Sequence, residues 1–125
     1  MNGSRGSVSV EFAALMPLLA IAMLLVAQVG VLVSEQVAVQ HGAREGARAA
    51  AVGRGNDEAR ETALEAGNLD PACTETSITP ASREVGTPVT FSITYTPVIL
   101  PIIARFVPGD IELKADVTMR SEDAT

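Results

Sequence analysis

The side chain best placed for chemistry is Glu11, a carboxylate set directly against the run FAALMPLLAIAMLLVAQVGVLV, residues 12–33. That run of 22 residues carries no charge, and Gln28 is its one strongly polar side chain. An ionised carboxylate at the edge of hydrocarbon is costly and ordinarily paired, so Glu11 calls for a partner. Elsewhere the chemistry-bearing residues are sparse. One His, His41, and one Cys, Cys73, cannot build a zinc or iron–sulfur site, and a lone thiol forms no intramolecular disulfide. Cys73 reads as a semi-buried apolar residue, with pairing between chains as the alternative. No Ser lies in a nucleophile-elbow pattern, and Gly53-Arg54-Gly55 is too short and misplaced for a phosphate-binding loop. The chain therefore reads as a non-enzyme that needs no metal, cofactor or small-molecule substrate.

The element behind Glu11 is legible from length alone. As a helix, the run over 12–33 extends about 33 Å, enough for a bilayer core of about 30 Å. A soluble core helix would show a polar stripe, whereas this segment is apolar all round. A cleavable secretory signal fits less well. Its apolar region should span only about 7–15 residues, and the small-residue triplet Ala20-Ile21-Ala22 falls in mid-run. Arg5 and the amino terminus favour a cytoplasmic N-terminus, although Arg44 and Arg48 weaken the asymmetry. Pro17 removes the helical partner of the Ala13 carbonyl and predicts a kink.

Net charge bounds the partners. Beyond Val33 the chain has eight Arg/Lys and fourteen Asp/Glu, so the entire −6 resides outside the membrane run. That balance argues against nucleic acid and against an anionic membrane surface as the main partner.

Three features accumulate around the membrane run. A short polar arm ends in Gly6, four residues follow, and Glu11-Phe12 opens the apolar stretch. Beyond the membrane, residues 36–48, QVAVQHGAREGAR, contain the block Ala43-Arg44-Glu45-Gly46-Ala47-Arg48. The G-x-x-x-x-E-F arrangement resembles the processing site of type IV prepilin-like proteins. Together, the opening RGSVSVEFAALMP and the A-R-E-G-A-R block resemble the TadE-like pseudopilins of the tight-adherence (Flp-type) pilus machinery. The resemblance covers roughly residues 5–50. It implies a prepilin-type leader, residues 1–6, cut by a membrane-embedded prepilin peptidase between Gly6 and Ser7. It also implies that the new Ser7 amine answers a neighbouring subunit's Glu11, setting register with Phe12. Gly6 suits such a cut, because a residue without a side chain lets extended backbone enter a tight cleft. The implied partners are other pilins or pseudopilins and the pilus assembly platform in the membrane.

Residues 7–52 read as one transmembrane and stem helix, about 69 Å long if unbroken. On the stem, Gln36, Gln40, Arg44 and Arg48 form a polar row. Gly42 and Gly46 head a face of small residues that allows close helix packing, either with another subunit or with the chain's own distal part. Residues 53–125 read as an exported α+β domain. Asn56 is the expected cap of a short helix that ends at Gly67. The period then changes to two: Val89, Phe91, Ile93 and Tyr95 alternate with polar residues, as do Ile111, Leu113, Ala115, Val117 and Met119. With a shorter strand at 74–79 they predict a small antiparallel sheet against the stem, an α+β, pilin-like fold. The apolar stretch 97–110 is expected to cover the open face of the sheet, or else to contact another subunit or the membrane. The acidic tail 121–125 is expected to fray.

Two functions remain open at this point. One is a minor pilin or pseudopilin: a single-pass protein of the cytoplasmic (inner) membrane, N-terminus inside and distal domain outside, able to enter an extracellular pilus. The other is an extracytoplasmic binding module merely tethered by its first helix.

Overall fold

The computed structural model describes residues 3–82 and 84–122; Met1 and Asn2 of the expected leader, and residues 123–125 of the acidic tail, lie outside the described residues. The elements, in chain order, are α1 (Gly3–Ala51), α2 (Asn56–Gly67), a 3-10 turn (Pro71–Cys73), β1 (Thr74–Thr79), β2 (Pro88–Tyr95), α3 (Pro101–Ala104) and β3 (Leu113–Arg120). This is the α+β, pilin-like fold expected: a long apolar helix, a short helix and a three-stranded antiparallel sheet. The chain divides into two compact units, Met1–Val33 and Ser34–Thr125.

The described residues of the first unit are all helical. α1 starts at Gly3, inside the expected leader and not at Ser7, and it continues through Pro17. No proline or turn lies between Gly3 and Ser7, and each residue added to an existing helix gains one hydrogen bond, so the helix extends outward. Every side chain described from Gly6 to Ala27 is exposed. An apolar surface of that extent belongs in lipid, and α1 is long and apolar enough to cross a membrane. The chain is in this respect a single-pass membrane protein.

The second unit begins one residue past the apolar run, so residues 34–51, the expected stem, pack with the distal residues. The order β1-β2-β3 puts β2 in the centre. Ile78 opposes Phe91, which opposes Val117; Thr76 opposes Ile93, which opposes Ala115. Directly opposed residues share a face, so the alternation seen in the sequence becomes one apolar layer. Against it lie Val39, Ala43, Ala47 and Ala50 of α1 with Ala59 and Ala63 of α2, all fully buried. The opposite face is polar, and Thr90 and Thr118 share a hydroxyl hydrogen bond of 2.8 Å across it.

Two local expectations need correction. Gly55, not Asn56, is the N-cap of α2; Asn56 is the first helical residue and its side-chain amide donates to the Ala81 carbonyl at 3.4 Å. Gly55 serves there with little loss, because glycine is a tolerated N-cap. At the other end α2 stops at Gly67 as expected, and Asn68 takes the left-handed cap (φ 49°); a side chain at Gly67 would lie 2.8 Å from the Ala38 carbonyl oxygen, so the position suits glycine. The second concerns residues 97–110, which do not cover the sheet: Val98 and Phe106 are each 82% exposed and Ile102 is 60% exposed. The sheet's apolar face is already taken by α1 and α2, leaving the loop nothing to close.

Candidate functional site

The opening of α1 holds four of the residues singled out by sequence. Gly6, Ser7, Glu11 and Phe12 are all helical and exposed. Ser7 and Glu11, four apart, share a helix face, and the Ser7 hydroxyl donates to the Glu11 carboxylate at 3.4 Å, longer than a strong bond of this type. A side chain on Gly6 would meet nothing within 4 Å, so packing within the chain does not require glycine there. Phe12 is 60% exposed and begins the apolar surface. The segment thus presents a carboxylate at the head of a lipid-suited helix, with its nearest described bond to the residue just after Gly6.

Gly42 and Gly46 lie elsewhere, in the second unit, and do a different job. A Cβ on Gly42 would sit 2.6 Å from the Ala63 carbonyl oxygen, and one on Gly46 would sit 2.6 Å from the Phe91 ring and 2.8 Å from Ala63 Cβ. Both glycines therefore admit α2 and β2 of the same chain. Their side of the helix is filled from within the chain. The A-R-E-G-A-R block divides the same way: Ala43, Gly46 and Ala47 are buried while Arg44 and Arg48 are exposed.

Sequence reasoning missed Glu35. This residue follows the apolar run by two positions, and its Oε2 is buried without a hydrogen-bond partner among the described residues. Burial pushes its carboxyl above the ordinary range. Tyr95 at the end of β2 is likewise raised, first by burial and then by the charges of Glu35, Cys73 and Asp70. The signal that could have flagged Glu35 is an acid immediately beyond the membrane run, where β2 must end if the sheet packs along α1. The folded carboxyl holds its proton more tightly than the unfolded one, whose pKa is about 4.3. Between those two values stability falls as pH rises, because the folded state binds more protons. Glu35→Gln should therefore raise the melting temperature at pH 8, and the gain should vanish below about pH 4. Thermal unfolding of both proteins in detergent at the two pH values checks this; an equal gain at both would show that the titration plays no part.

Among the described residues no three His, Cys, Asp or Glu side chains cluster as a metal site. His41 is exposed and Cys73 half-buried. Residues 6–48 match the TadE-like protein family. No curated protein and no solved structure matches the chain.

Proposed function

We propose, from a chain whose residues 6–48 match the TadE-like family, that this protein is a minor pilin or pseudopilin of a tight-adherence pilus or related secretion machine. The family is structural and pilus-related, which ties the chain to the components of that system rather than to catalysis. One observation carries the finer reading. The matched segment joins Gly6, Glu11-Phe12 and a helix whose described side chains are exposed and apolar from Phe12 to Ala27. Gly6 has no packing reason to be glycine, which supports recognition by a peptidase as its role. In this reading a prepilin peptidase cuts between Gly6 and Ser7, and the span over 12–33 stores the subunit in the membrane. The N-terminus faces the cytoplasm and Ser34–Thr125 faces outward. Glu11 and the freed Ser7 amine set register with other pilins as the assembly platform takes the subunit up.

The second reading, a tethered binding module, rests on the self-contained packing of Ser34–Thr125. Exchanging residues 1–33 for an unrelated single-span anchor separates the two. As a pilin, the exchanged protein should insert normally and lose all function in the pilus system. Retained function would make the first helix a tether and sink the assembly role.

A further inference from the structure

We infer that the β2–β3 connection, residues 97–107, docks in the headgroup boundary of the same bilayer that α1 crosses, giving the second unit a second membrane contact. The inference rests on reading residues 12–33 as a membrane span.

The sheet's direction fixes where this loop lies. Gln36 Nε2 donates to the Lys114 carbonyl at 3.1 Å, and the Glu122 N–H donates to the Ala51 carbonyl at 2.7 Å. From residue 36 to 51 a helix rises about 23 Å, and a strand covers 114 to 122 in about 26 Å, so β3 lies alongside α1. Its start, and the end of β2 paired with it through Tyr95 and Leu113, are therefore at the Gln36 end of the unit. Gln36 is three residues beyond Val33, and three residues reach at most about 11 Å, whatever angle the chain takes. The connection leaves the sheet at that end. It is the wrong place for a bare apolar loop in water and a suitable place for one in lipid.

Its chemistry agrees. Val98, Leu100, Ile102 and Phe106 are exposed, and no acid occurs between residues 97 and 109. Arg105 is exposed among them and can keep its guanidinium at phosphate level while its stem stays apolar. At the root Glu112 forms an exposed ion pair with Lys114 at 3.0 Å, and Asp110 is exposed beside them. Among the described residues the far end of the unit carries a smaller apolar surface: the turn at residues 80–87 displays Val85 as its one large apolar side chain, and Val52 beyond α1 is exposed as well. Continuity with the membrane span favours lipid over a protein partner as the occupant.

The chain has no Trp, so Phe106→Trp introduces a single reporter at an exposed position. The full chain is reconstituted in vesicles of phosphatidylcholine and phosphatidylglycerol, with or without brominated acyl chains. Val85→Trp and Leu19→Trp, each in its own protein, serve as water-side and lipid-side references. The Phe106→Trp indole should lose most of its emission to bromine placed high on the acyl chain and resist aqueous acrylamide, as the Leu19→Trp reference does; burial of about 5–10 Å is the expected depth. Acrylamide quenching equal to that of the Val85→Trp reference would overturn the inference. So would protection from both quenchers, the mark of a protein contact. Should the Leu19→Trp reporter itself escape bromine, the membrane reading fails and the inference with it; a quenched Leu19→Trp beside an unquenched Phe106→Trp defeats the inference alone.

Discussion

Glu11→Ala should leave the protein in the membrane fraction and remove it from any assembly with other pilins. Insertion depends on the uncharged run over 12–33, which the substitution does not touch and even lengthens. Assembly, in the proposed function, depends on a carboxylate at the lipid boundary meeting the amine freed at Ser7. Taking away one member of such a pair leaves the other charge unpaired in a poorly solvated place, at about 3–5 kcal/mol. At about 1.4 kcal/mol per factor of ten, that is a loss of roughly a hundredfold or more in association. Glu11→Gln should fail as badly, since it keeps shape and hydrogen bonding but not charge. Co-purification of tagged protein with the pilus components from solubilised membranes reads the effect. Wild-type recovery of partners with both variants would exclude charge pairing as the basis of register.

The second large effect is structural. Phe91 is fully buried at the centre of β2, between Ile78 and Val117 in the sheet, with its ring against Gly46. Truncation to alanine removes most of a large aromatic and leaves a cavity that the rigid α1 and the paired strands cannot close, at about 3–5 kcal/mol. Small domains have total stabilities of about 5–15 kcal/mol, and near this size each kcal/mol moves the midpoint by about 4–8 °C. Phe91→Ala should thus lower the melting temperature of the second unit by roughly 12 °C or more. The exposed helix of the first unit, which makes no use of Phe91, should keep its ellipticity in detergent. Circular dichroism during a thermal ramp measures both; a shift of a degree or two would mean that the ring is not the keystone of this core.

How far the sequence could be read depends on which kind of force was at work. Local patterns survived. The alternation Val89, Phe91, Ile93, Tyr95 became the inner row of β2, and residues 74–79 became β1 as expected. Gly53 ends α1 with a positive φ of 82°, as a glycine break should. Where a property depends on what lies opposite, sequence was silent or misleading. Small residues at 42 and 46 announce close packing but not the partner, and the partner is the chain's own Ala63 and Phe91. The apolar composition of residues 97–110 says that the loop would leave water, yet not that α1 and α2 already occupy the only apolar face of the sheet. Glu35 drew no notice in the sequence; in the fold one of its oxygens is buried, and its charge acts on Tyr95 of β2. At the amino-terminal site the residues and their spacing were visible from the start, because a processing signal, as proposed there, would be read by an enzyme as sequence.

The central claim is that a protease frees an amine at Ser7. Intact-mass measurement of the protein purified from membranes, from cells with and without a prepilin peptidase, tests it most directly. Loss of Met1–Gly6 only where the peptidase is present is the expected result. A full-length chain beginning at Met1 in cells that process their other pilins would contradict it.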